Sequence, residues 1–189
     1  MKIFKQLFVA FLMLFFVNIN AQSEKIEGVD FNSTMDINGQ KTILNGGGLR
    51  EKYGFMDLYV GALYVKSNST DANKVIMANE EMGIRIVIVS GLVTRERFIE
   101  ALEDGFANSS AGKSSADDII KFKEYLSDEF VEGDEILLNY HLTDETVYLL
   151  KNGKQRGAFN GLAFKQALFA IWLGDKPADD SLKEDMLGL

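Results

Sequence analysis

The sequence predicts an α+β fold in which a layer of helices packs on an antiparallel sheet. Three observations carry this reading. Candidate strands come in pairs joined by short turns, the candidate helices are grouped between and after those pairs rather than alternating singly with them, and no linker divides the chain. The only proline is Pro177 and there is no low-complexity tract, so one domain is the expectation after the N-terminal segment.

That segment sets the compartment. Lys2 and Lys5 precede an apolar run from Leu7 to Val17, and Ala21 offers a small residue before Gln22, the pattern of a secretory signal peptide over residues 1–21. The run is too short for a comfortable membrane crossing, and no later stretch reaches the roughly 20 apolar residues needed. A periplasmic or secreted protein is expected, cleaved after Ala21, with residues 22–189 as its single domain. Losing Lys2 and Lys5 but no acid moves the formal charge from -8 to -10.

The domain then reads element by element. Glu27 to Asp36 and Lys41 to Leu49 flank an Asn38-Gly39 pair, a strong two-residue hairpin signal. Phe55 to Lys66 alternates with both faces apolar: Phe55, Asp57, Tyr59, Gly61 and Leu63 on one, and Met56, Leu58, Val60, Ala62 and Tyr64 on the other. This predicts a central strand covered on both sides. Thr70 to Asn79 predicts a short helix and Gly83 to Ser90 a β-branched strand. Thr94 is a helix N-cap candidate, with Phe98, Leu102, Gly105 and Phe106 at helical spacing behind it. Ser115 to Leu126 predicts another helix. Glu135 to His141 and Thr146 to Lys151 pair as a second hairpin, and Asn152-Gly153 turns the chain into a strand carrying Arg156. A strongly amphipathic helix over Gly161 to Leu173 and a shorter one over Asp180 to Leu187 close the chain.

Several chemistries lack the residues they require. There is no cysteine, hence no disulfide, lipid-modified cysteine or zinc-thiolate site. His141 is the only histidine, which leaves no multi-histidine metal site and marks it as an ordinary strand-end residue. Asp128, Glu129, Glu132, Asp134 and Glu135 lack EF-hand spacing and read as a solvated loop. Gly112-Lys113-Ser114 has Ala107 where a phosphate-binding loop needs glycine, and Gly46-Gly47-Gly48 lacks a dinucleotide fingerprint. An acidic chain is unsuited to nucleic acid, which demands clustered Lys and Arg. No metal and no cofactor is expected.

Arg50 is the residue that stands out, one fixed cation after three glycines and before an aromatic strand. A guanidinium stays charged and grips a carboxylate at two points, while glycines let the backbone turn tightly without a β-carbon clash. A ligand-lining arginine and a surface charge beside a turn both fit. The aromatic residues Phe55, Tyr59, Tyr64, Phe98, Phe106, Phe164 and Phe169 fit a core by spacing alone, and Trp172 fits a helix end stopped by Gly174.

Three segments in order, LNGGGLREKYGFMDLYVGALYV from Leu44, VSGLVTRERFIEALEDGF from Val89 and FNGLAFKQALFAIWLGDKPADDSLKEDML from Phe159, resemble the chalcone isomerase-like family, specifically its bacterial secreted branch. The resemblance implies an open-faced β-sandwich, a large antiparallel sheet under a layer of helices with a ligand cleft between them. It also implies that Arg50 holds the position of a cleft arginine that faces an anionic oxygen. The family includes enzymes that close a chalcone into a flavanone and non-catalytic members that hold a fatty acid. Alignment places Leu58 at a catalytic threonine of the enzymes, Thr94 at their essential tyrosine and Ala101 at an asparagine. Leucine and alanine cannot replace those hydrogen bonds, and threonine is too short to replace a phenol, so no catalytic residue is assigned. The ligand-binding candidates are Arg50, Thr94 and Tyr59. Three functions remain open: a binder of a small apolar or amphipathic acid such as a fatty acid, an isomerase of the chalcone–flavanone type, and an envelope scaffold with no small ligand.

Overall fold

Seven strands form one antiparallel meander in the computed structural model, which describes residues 22–189; the expected signal peptide lies outside the described residues. The order is β3 (Thr34–Ile37), β4 (Gln40–Lys52), β5 (Met56–Val65), β6 (Met82–Ile88), β7 (Glu135–His141), β8 (Thr146–Lys151) and β9 (Lys154–Asn160), each paired with the next. A separate two-stranded ribbon, β1 (Ser23–Ile26) with β2 (Val29–Asn32), precedes them. The expected single arm from Glu27 to Asp36 is therefore broken. Glu27 and Gly28 both take positive φ and reverse the chain, so the first part of that arm pairs with β1 instead.

Helices enter between strands and at the end: α1 (Ala72–Met77) after β5, α2 (Arg95–Asn108) and α3 (Ala116–Tyr125) after β6, and α4 (Leu162–Leu173) and α5 (Asp180–Leu187) after β9. Thr94 and Ser115 cap α2 and α3, the latter in a full capping box with Asp118. The sheet curls until Asn38, in the β3–β4 turn, donates to Thr143 Oγ1 at 2.7 Å in the β7–β8 turn. This is the predicted layer architecture.

Strand β5 is covered on both sides, as its pattern predicted. Tyr59 and Leu63 face the helices in the main core, while Val60, Ala62 and Tyr64 join Phe31 and Val87 in a second core beneath the β1–β2 ribbon. Each large apolar side chain so buried contributes about 1.5–3 kcal/mol. Helix α4 differs from its expected amphipathic form, because nine of its residues, Phe164, Lys165 and all of Ala167 to Leu173, are buried. It lies between the sheet and α1, α2 and α5, and a helix surrounded by protein has no solvent face to make polar. Its one charged member, Lys165, is fully buried and donates from Nζ to the carbonyls of Val75, Ile76 and Ala78 at 2.8–2.9 Å. It thereby closes the carboxyl end of α1.

The glycine run is not a turn. Gly46, Gly47 and Gly48 sit in the middle of β4, and none has positive φ. Their function is close approach: a Cβ on Gly46 would stand 2.1 Å from the Asp185 carbonyl oxygen, and one on Gly48 would overlap the Asp185 side chain. The bare backbone lets α5 lie directly on the sheet. The turn falls later, at Tyr53-Gly54, both with positive φ, so Phe55 is not a strand residue but an exposed one at the hairpin tip.

Candidate functional site

Two irregularities in strand pairing shape the region around Arg50. Arg50 pairs with Tyr59, but the next residue, Glu51, pairs with Asp57, so Leu58 is an extra residue bulged out of the ladder. A bulge breaks the two-residue alternation. Leu58, predicted on the face opposite Tyr59, consequently lines the same cleft as Tyr59. The second bulge leaves Asn45 unpaired in β4. Its amide donates to the Ser69 and Met186 carbonyls and accepts from the Ser69 N–H, which fastens α5 and the β5–α1 loop to the strand.

The cleft encloses about 190 Å³ between the β4–β5 hairpin and α2. The hairpin contributes Arg50, Lys52, Tyr53, Met56, Leu58 and Tyr59; the β6–α2 loop and α2 contribute Leu92, Val93, Arg97, Phe98 and Ala101. A narrow extension of about 10 Å³ continues inward past Arg50 and Tyr59 to Leu102, Ile171, Trp172 and Ala178. Three cations, Arg50, Lys52 and Arg97, line the cleft and no carboxylate or imidazole does.

Arg50 is half-buried at the junction of the two spaces, with its guanidinium carbon 5.5 Å from the Tyr59 ring centre. The other four arginines among the described residues are engaged. Arg85 pairs with Glu135, Arg156 with Asp128, Arg95 holds the Leu126 and Lys123 carbonyls, and Arg97 holds that of Leu92. Among the described residues Arg50 forms no ion pair and no hydrogen bond to a carbonyl. Its polar neighbour is the Tyr59 hydroxyl.

Tyr59 is 2% exposed, and its hydroxyl oxygen accepts a hydrogen bond of 2.8 Å from Trp172 Nε1. Burial raises its pKa above the ordinary phenol value, a shift that the Arg50 charge and the Trp172 hydrogen bond reduce but do not reverse. The phenol therefore stays protonated. Because Trp172 uses a lone pair on the oxygen, the hydroxyl proton is free to be donated into the cleft beside Arg50.

The structure brings Arg50 and Tyr59 together and leaves Thr94 out. Thr94 Oγ1 accepts from the Arg97 N–H at 3.4 Å as the α2 cap, and Val93, Arg97, Phe98 and Ala101 line the cleft around it instead. Lys52, Arg97 and the Trp172 contact had no individual signal in the sequence, since each acquires its place only when the hairpin, α2 and α4 meet. His141 lies against Tyr148 at a strand end, ring centres 4.4 Å apart and tilted by 40°, and the five acids do not form the solvated loop expected of them: Asp134 is buried against Lys151, Glu135 begins β7 and pairs with Arg85, and Asp128 pairs with Arg156.

Comparison with known proteins agrees with this architecture. The family profile described as chalcone isomerase-like matches residues 23–188. Among solved structures, an Arabidopsis thaliana fatty-acid binding protein superposes with a TM-score of 0.69 at 18% identity, covering 88% of this chain and 96% of that one. At that identity the likeness speaks for the fold. No curated protein sequence gives a significant match.

Proposed function

The chain belongs to the chalcone isomerase-like family, and from that premise we propose that it is an exported, non-catalytic protein that holds a small apolar carboxylic acid, such as a fatty acid, in the Arg50 cleft. The observation that carries this reading is Arg50 itself: an unpaired guanidinium at the inner end of a cleft walled by Leu58, Val93, Phe98 and Ala101. A ligand carboxylate would take two guanidinium N–H bonds and the Tyr59 O–H, while its apolar body packs on those walls. The fatty-acid binding protein of the same fold supports the ligand class.

The cleft is smaller than the roughly 300–1,000 Å³ of typical small-molecule sites, which favours a short acid or one whose tail leaves through the mouth. Isomerisation would need an acid–base group poised near neutral pH. The titratable lining consists of Arg50, Lys52, Arg97, Tyr53 and a phenol held protonated, Tyr59, and Leu58 and Ala101 add no hydrogen bond. Chalcone cyclisation is expected at background rate.

Native mass spectrometry of protein purified from its own host, followed by organic extraction, tests the proposal. A stoichiometric acid adduct is the expected result, and a protein that stays empty when challenged with acids would favour a scaffold. Export rests on the charged start, short apolar run and Ala21, and predicts an intact mass beginning at Gln22.

A further inference from the structure

Eight large apolar side chains are exposed among the described residues, and three of them stand at one place: Tyr53, Phe55 and Leu92, at 75%, 76% and 45% exposure. Tyr53 and Leu92 form opposite lips of the cleft mouth, and the Phe55 ring lies 6.4 Å from that of Tyr53 on the outer side. Lys52, with its ammonium 5.4 Å from the Tyr53 ring, and Arg97, held against the Leu92 carbonyl, place cations beside these lips. The acids nearest in sequence, Glu51, Asp57, Glu96 and Glu100, are exposed and none lines the mouth. Both lips belong to one end of the sheet, where the β4–β5 turn and the β6–α2 loop meet.

We propose that this rim is a docking surface for an anionic phospholipid bilayer, through which the cleft exchanges its acid with the membrane. The inference rests on the ligand reading above for its purpose, but the surface is defined independently of Arg50. Aromatic side chains with cations at their edges match the chemistry of a lipid interface, where rings enter the acyl boundary and ammonium or guanidinium groups meet phosphate. On a chain with a formal charge of -8, the exposed cations Lys52 and Arg97 at the lips turn this one end toward a negative surface. An apolar acid dissolves in the bilayer, so a mouth seated there receives it without crossing water.

The absence of cysteine allows a single environment-sensitive fluorophore to be placed by Phe55→Cys, with Leu142→Cys in the β7–β8 turn at the opposite end of the sheet as control. With vesicles containing phosphatidylglycerol, the full chain labelled at 55 should shift to the blue and brighten, less so with pure phosphatidylcholine or high salt. The label at 142 should not respond. Phe55→Ser should lower vesicle affinity about tenfold, the order expected for withdrawing one ring from an apolar interface, and leave acid affinity in solution unchanged. No response at 55, or equal response at 142, would overturn the proposal even if the cleft binds acids. A response at 55 that survives in Arg50→Ala, together with unchanged acid affinity in that variant, would instead remove the ligand reading and keep the docking surface.

Discussion

Alanine at Gly46 tests the physical reason for the glycine run. Its Cβ would stand 2.1 Å from the Asp185 carbonyl oxygen, and 3.2 Å from the Met186 carbonyl oxygen and the Gly188 nitrogen. The nearest of these falls 1.3 Å short of an ordinary 3.4 Å contact, and it is backbone, which cannot rotate away. Either α5 lifts or β4 bends. Overpacking of this kind costs about 1–3 kcal/mol. Lifting α5 also strains the 2.8 Å bond from Asn45 to the Met186 carbonyl, a further 0.5–1.5 kcal/mol or so. Reduced freedom of the unfolded chain returns about 0.4–1 kcal/mol. The net expectation is a loss of roughly 2–3 kcal/mol, or about 5–10 °C in melting temperature for a domain of this size. Thermal and urea melts read it directly. Acid affinity should stay at the wild-type value, because Gly46 does not line the cleft. A melting temperature within about 1 °C of wild type, less than the shift for 1 kcal/mol, would refute the packing argument, and lost affinity with an unchanged melt would return the glycines to the ligand.

Lys165→Met removes the donor from three buried carbonyls at the end of α1 and should cost about 2–4 kcal/mol in urea unfolding, the carbonyl penalty partly offset by the apolar replacement. Burial pushes the Lys165 pKa down to about 7 from 10.5, so between those pH values the unfolded chain binds more protons than the native one. The Lys165 contribution to stability therefore rises with pH across that window, and Lys165→Met should flatten that part of the profile. Tyr59→Phe keeps the ring but strands the Trp172 N–H, so it should lower stability by about 1–3 kcal/mol in thermal or urea melts and weaken acid binding in titrations.

Much of the sheet was legible because its turns are chemical: Asn38-Gly39 and Asn152-Gly153 supply the paired positive φ values that two-residue hairpins need. The caps at Thr94 and Ser115 located two helices in the same way. What stayed hidden depends on pairing rather than pattern. No residue announces that Leu58 or Asn45 is the extra one in a ladder, yet the Leu58 bulge puts two consecutive side chains into one cleft. Three glycines look alike whether they permit a turn or a close neighbour, and only the folded positions of Asp185 against Gly46 and Gly48 and of Gly61 and Ala62 against Gly47 decide between them. Arg50 could be singled out as a fixed charge next to apolar sequence. That it lacks a partner while four other arginines have theirs is a property of the folded chain. Thr94 was drawn into the candidate site by alignment, although its capping role, visible in the same residues, uses its hydroxyl.

The direct test of the central claim is a calorimetric titration of a medium-chain fatty acid into the wild-type protein, Arg50→Ala and Arg50→Lys, with thermal melts of all three. A carboxylate gripped by Arg50 predicts that alanine weakens binding by roughly 1.5–3 kcal/mol, about ten- to 150-fold, and that lysine recovers only part of it. The melts should nearly coincide, since Arg50 has no internal carboxylate to strand; loss of such a partner would cost about 3–5 kcal/mol. Equal affinity in wild type and Arg50→Ala would contradict the account, and a large fall in melting temperature with that equal affinity would assign the arginine to the fold instead.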